Sequence, residues 1–124
     1  MIIGIGCDIV DHQMTNQLNW ANQPSAMARV FSTNEIELYN CKKEVRFLSG
    51  RFAAKEAVLK CIGTGMEDGI ALTEVEILQL NNGRPFVKLG SNAKEAAEKA
   101  GIKSFHVSIS HTIGYSLAYA IAED

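Results

Sequence analysis

The segment from about Lys43 to Ile62 constrains this chain more than any other. Leu48, Phe52, Leu59 and Ile62 recur at the spacing of one helix face, and Gly63 follows as a natural terminating residue. Beside that apolar stripe runs a second one, formed by Ser49, Ala53, Glu56 and Lys60. Its small side chains let a neighbouring backbone come close, so a carboxylate and an ammonium four positions apart sit on a face suited to tight packing. On open surface such a Glu-to-Lys pair is worth only about 0.3–0.5 kcal/mol and carries no further meaning. On a close-packed face it needs a partner.

The opening strand offers one. Residues 2–10 read as a buried strand, with Ile3, Ile5, Cys7 and Ile9 on one face and Gly4, Gly6 and Asp8 on the other. The glycines leave room for a backbone or a ligand beside Asp8. Alone, Asp8 could ligate a divalent cation, cap a following helix or hold a structural hydrogen bond; without a second acid the structural roles are favoured. If the Gly4–Gly6–Asp8 face meets the stripe carrying Glu56 and Lys60, two carboxylates stand beside a lysine. Two carboxylates suit Mg²⁺, which takes oxygen ligands and completes its shell with water and substrate phosphates. The lysine then supplies positive charge for a phosphate.

The remaining pattern predicts an α+β domain. Ser32 with Glu35 forms a capping box ahead of a helix from Thr33 to Cys41. A weak helix is expected over 14–22, broken by Pro24-Ser25. Strands are expected over 73–80 and 85–89, joined at Asn82-Gly83, with Pro85 where a missing donor is tolerated. A helix capped by Asn92 and Glu95 ends before Gly101, and strands follow over 103–110 and 115–122. This order gives a largely antiparallel sheet packed with a long central helix. The length, 124 residues, implies a single domain, 1–124.

Composition narrows the function classes. A net charge of −2 gives no support for a nucleic-acid binder, which favours a strongly basic domain. Lys42, Lys43, Arg46 and Arg51 form a local basic cluster, read either as a solvated helix face or as a surface for an acidic partner. Cys7, Cys41 and Cys61 have no metal-knuckle spacing. With no secretory leader and no apolar stretch long enough for a bilayer, a reducing, cytoplasmic setting is expected.

Other motifs are weaker. Gly63-Thr64-Gly65 lacks Walker spacing and reads as a helix cap, and Gly4-x-Gly6 fails the dinucleotide fingerprint. Ser108, Ser110, His111 and Thr112 cluster at a strand end, as a turn or a phosphate or adenine contact; no acid completes a triad. His12 and His106 read as ordinary surface or strand histidines.

Taken together, Gly4-Ile5-Gly6-Cys7-Asp8-Ile9-Val10, Phe31-Ser32, Arg51 to Ala57 with Lys60 and Gly63-Thr64-Gly65, Asn82-Gly83-Arg84-Pro85, and Val107 to His111 occur in family order across nearly the whole chain. In these segments the chain resembles the small bacterial holo-[acyl-carrier-protein] synthases, a family of 4′-phosphopantetheinyl transferases. The resemblance implies that family's fold. It also implies transfer of phosphopantetheine from coenzyme A to a serine of apo acyl carrier protein, in support of fatty acid biosynthesis. Asp8 and Glu56 then match Mg²⁺ ligands, and Lys60 matches a lysine near the coenzyme A phosphates. Glu56, directly or through a water, is the nearest base for the serine proton. Arg51, Gly63, Asn82, Pro85, His111 and Thr112 match cofactor-side positions. A homotrimer with sites at subunit interfaces and an acidic carrier protein as partner are implied as well. One departure stands out: Met14 occupies a position where the family usually has an arginine that docks the carrier, and Thr15 to Asn22 contains no basic residue. The alternatives are a coenzyme A-binding homologue with altered carrier recognition, and a different Mg²⁺-dependent hydrolase of nucleotide pyrophosphates.

Overall fold

The structure, a computed structural model, describes residues 1–63 and 69–124. Strand β1 (Ile2–Asp11) leads into helix α1 (His12–Leu18), a short 3₁₀ turn (Trp20–Asn22) and α2 (Pro24–Val30). Helix α3 (Thr33–Lys42) and the long α4 (Val45–Ile62) follow. A second 3₁₀ turn (Leu72–Glu74) precedes β2 (Val75–Gln79), β3 (Pro85–Leu89), α5 (Ser91–Lys99), β4 (Ser104–His111) and β5 (Tyr115–Glu123). Among the described residues every strand pairing is antiparallel, in a three-stranded sheet of order β1-β5-β4 and a β2-β3 hairpin. The α+β class and the central helix therefore match the expectation from sequence.

Helix α4 forms because its apolar residues repeat with helical period and its interior lacks proline. It ends at Gly63, whose φ of +80° is the left-handed geometry that glycine adopts freely. Ala53, Ala54, Ala57 and Val58 are fully buried against the three-stranded sheet, where Ala118, Ala120 and Ala122 meet them. Alanine on both sides brings helix and sheet unusually close. At β1 the approach is closer still: a Cβ on Gly6 would run into the Ala57 carbonyl oxygen, and one on Gly4 into that of Cys61.

The glycine face of β1, and not its isoleucine face, packs on α4. Ile5 and Ile9 are both 63 % exposed, and Ile3 is exposed too, so the reading of β1 as a buried strand is corrected. Period-two alternation separates two faces without saying which one turns inward; the α4 backbone, needing a side-chain-free surface, decides it. On the outer face the isoleucines are continued by exposed Tyr119 and Ile121 of β5.

Other boundaries shift for local reasons. The helix expected over 14–22 begins earlier, because the Asp11 side chain caps α1 by accepting from Gln13 N. Pro24 starts α2 at its first turn, where no N–H is needed, in place of ending a helix. Lys43 lies outside α4, in the left-handed conformation that ends α3. The expected cap on α5 is absent: Gly90 precedes the helix, and Asn92 donates to the Gly69 carbonyl. The Ser32–Glu35 capping box is present on α3. No helix among the described residues is long and apolar enough to cross a membrane.

Candidate functional site

The close approach of β1 and α4 brings Asp8 and Lys60 together. Lys60 Nζ donates to the Cys7 carbonyl (2.8 Å) and to Asp8 Oδ1 (3.3 Å). Glu56, one turn earlier on α4 and half-buried, is near enough to feel Asp8: burial and then the Asp8 charge raise its pKa above the ordinary 4.5, against the lowering effect of Lys60. Two neighbouring acids next to open solvent form an oxygen-rich site whose charge a divalent cation would balance. Among the described residues no third Asp, Glu, His or Cys joins them. A hard cation held there would keep positions for water and phosphate oxygens.

A second group forms at the other end of α4. Arg51 Nε donates to the Ile77 carbonyl (3.3 Å) and a terminal nitrogen to Gln79 Oε1 (2.9 Å), while the guanidinium lies 4.2 Å from the Phe47 ring centre. Burial lowers the Arg51 pKa, with Glu35 opposing. Gln79 stands opposite Pro85 across the hairpin, so Arg51, bonded to the Gln79 side chain, is anchored on the strand paired with Pro85. His111, at the end of β4, shares a cavity of about 230 Å³ with Arg51, Arg46 and Gln79. Burial, followed by Arg46, His12 and Arg51, pushes the His111 pKa below the ordinary 6.5, with Glu44 opposing. Thr112 tightens the following turn by accepting from Tyr115 N at 3.1 Å. Asn82 is exposed and accepts from Arg84 N (3.0 Å), and Gly63 is exposed at the end of α4. Thr64 and Gly65 of the expected glycine-rich turn lie outside the described residues.

Within one chain these groups are two clusters. Asp8 belongs to β1 and His111 to β4, the opposite edges of the sheet. Arg51 and Lys60 are separated by about 13 Å along the helix, at 1.5 Å per residue.

Two further arrangements were not apparent in the sequence. Lys55, adjacent to Glu56, is fully buried, and its three N–H groups are taken by Glu35 (2.6 Å), the Leu72 carbonyl (2.9 Å) and the Val75 carbonyl (2.8 Å). The other Glu35 oxygen accepts from Ile77 N (2.9 Å). The capping box hid this role, because it already explained Glu35. His12 is not the ordinary histidine expected: it is buried and hydrogen-bonded to Ser116 Oγ at 2.8 Å. Nothing in its spacing marks that contact, which spans 104 residues.

An α+β chain with paired acids beside a lysine, and a separate arginine–histidine cavity, has the outline of an enzyme acting on phosphate esters. Residues 4–120 match the family model for the 4′-phosphopantetheinyl transferase superfamily, and the chain belongs to that family. It is 41% identical over 124 residues to a protein of Blochmanniella floridana described as holo-[acyl-carrier-protein] synthase, covering 99% of each chain. The structure resembles holo-[acyl-carrier-protein] synthase from Neisseria meningitidis with a TM-score of 0.89 and 30% identity, covering 100% of both chains. It also resembles the Helicobacter pylori holo-[acyl-carrier-protein] synthase in complex with coenzyme A, with a TM-score of 0.83 and 28% identity, covering 96% of this chain and 99% of that one.

Proposed function

We propose that this chain transfers 4′-phosphopantetheine from coenzyme A to a serine of apo acyl carrier protein, in support of fatty acid biosynthesis. The products are holo carrier protein and adenosine 3′,5′-bisphosphate. The observation that carries the reading is the meeting of Asp8, Glu56 and Lys60 where β1 lies against α4, in a chain of this family.

In the reaction the serine oxygen forms a bond to the phosphorus that carries pantetheine, and the bond from that phosphorus to the bridging oxygen breaks. Asp8 and Glu56 would hold Mg²⁺, which when bound offsets the charge that gathers on the departing phosphate. Lys60 is fixed through the Cys7 carbonyl and Asp8, yet remains half-exposed, so its ammonium can also face a phosphate oxygen. Glu56, directly or through a water, takes the serine proton. Arg51, His111, Thr112, Asn82, Pro85 and Gly63 form the coenzyme A side.

The same reading takes residues 1–124 as one cytoplasmic domain working as a homotrimer. The exposed outer sheet face, with Ile5, Ile9, Tyr119 and Ile121, supports burial against further copies. Such packing also suits a site divided into two clusters, since a neighbouring copy can complete one with the other.

Incubation with Mg²⁺, coenzyme A and apo acyl carrier protein should add one phosphopantetheine to the carrier serine, read by mass spectrometry. The second reading, a coenzyme A-binding protein with altered carrier recognition, is favoured by α1. That helix exposes Met14 and Leu18 and contains no lysine or arginine. Coenzyme A binding without transfer to any carrier would establish it. Met14→Arg should change carrier affinity more than coenzyme A affinity.

A further inference from the structure

Three side chains form an unbroken hydrogen-bonded chain from the protein interior to the cavity shared with Arg51. His12 Nδ1 lies 3.1 Å from the Ile113 carbonyl oxygen, and His12 Nε2 lies 2.8 Å from Ser116 Oγ. Ser116 Oγ in turn lies 2.7 Å from His111 Nδ1. Ser116 is fully buried and His12 nearly so, which shields the contact between them from bulk water, while His111 opens to solvent at the far end. The His111 ring rests on Gly50, where a Cβ would come within 2.8 Å of its Cε1. The ring therefore has a floor as well as a tether.

The donors and acceptors allow one arrangement for each charge state of His12. A carbonyl only accepts, so His12 Nδ1 carries a proton. In neutral His12, Nε2 is then an acceptor, and the single Ser116 hydroxyl proton must point at it. Ser116 Oγ is left to accept from His111, which requires the proton of His111 to be on Nδ1. A neutral His111 consequently presents the lone pair of Nε2. If His12 were protonated, Nε2–H would donate to Ser116, the hydroxyl would turn to His111 Nδ1, and His111 would carry its proton on Nε2 instead.

We infer that His12 and Ser116 are positioning residues that dictate which nitrogen of His111 carries the proton, and so whether the cavity is offered a hydrogen-bond acceptor or a donor. With His12 neutral the cavity receives an acceptor. The other charged groups facing His111 are Arg46 and Arg51 on α4 and Glu44 just before it. Arg46 Nε is paired with Glu44 (2.6 Å) and Arg51 holds Ile77 and Gln79, and the remaining guanidinium N–H groups supply donors for an anion, while His111 Nε2 supplies the acceptor for an N–H or O–H of the same ligand. A ligand that is both anionic and hydrogen-bond donating, such as a phosphorylated nucleoside with an exocyclic amine, matches that set. Only this ligand assignment rests on the coenzyme A reading; the tautomer does not.

Nitrogen-15 NMR of the ligand-free protein near pH 8 tests the relay directly. His111 should display a protonated Nδ1 and a bare Nε2, and His12 a protonated Nδ1. A protonated Nε2 on His111 in the unaltered protein overturns the inference, whatever the enzyme acts on. In Ser116→Ala the lock is lost, so the His111 Nε2–H form should appear; an unchanged tautomer overturns it as well. Where transfer is measured, Ser116→Ala should raise KM for coenzyme A about fivefold, as expected for one hydrogen bond, and leave kcat within about twofold. Ser116→Thr, which keeps the hydroxyl, should restore both the tautomer and KM.

Discussion

Lys55 and Glu56 are neighbours on α4 and face opposite fates. Lys55 points into the protein, fully buried, with each N–H group engaged by Glu35 or a carbonyl of the segment leading into β2. Glu56 points toward β1 and solvent, half-buried beside a like charge. Burial lowers the Lys55 pKa while Glu35 opposes, and the pair joins α3, α4 and β2. The contrast teaches how to separate a structural charge from a working one. The Lys55 charge is saturated by fixed partners; the Glu56 charge, the working one under the proposed function, is left beside Asp8, where a cation would relieve it.

Lys55→Met should have the largest effect on stability. It leaves Glu35 as an uncompensated buried carboxylate, at a cost of about 3–5 kcal/mol in a denaturant titration. Adding Glu35→Leu should recover part of that loss, and a double variant less stable than Lys55→Met would break the comparison. Glu56→Gln should do the reverse. Transfer should fall by about 10²–10³-fold, the range for losing one main electrostatic contributor, with the denaturation midpoint nearly unchanged. Lys60→Met should lower transfer by a smaller factor, about tenfold, because its exposed ammonium acts through solvent-screened charge.

The smallest effect is a pH dependence. A raised Glu56 pKa means the folded protein binds more protons than the unfolded chain between the ordinary 4.5 and the raised value. Glu56 therefore makes folding less favourable as pH rises through that window, the opposite of an ion-paired carboxylate. Glu56→Gln should remove this slope from stability measured against pH. If the slope steepens instead, Glu56 is ion-paired and belongs with Lys55.

Much of this was legible in residue patterns. The stripe of Ser49, Ala53, Glu56 and Lys60 and the glycine face of β1 made each a candidate partner for the other, because small residues permit a close approach; that they do meet is seen only in the structure. The direction of the β1 isoleucines was not legible, since alternation is symmetric until a partner is known. The Glu35–Lys55 pair was hidden by a local role that already explained Glu35. The His12–Ser116 contact was hidden by sequence distance: it depends on how β5 returns beside β1, which no short window contains. The roles assigned to individual site residues rest on resemblance together with the proximities described above.

The joint between Gly6 and Ala57 has a further consequence. Where two main chains touch directly, there is no rotamer to change and no side chain to repack. Asp8 and Glu56 are carried on the two halves of that joint, so their separation is insulated from substitutions elsewhere in the core. Core positions away from the helix–sheet contact can change, or be redesigned for heat tolerance, while the spacing of the acids stays fixed. A change at the glycines, or at the alanines that hold helix to sheet, would spread them apart.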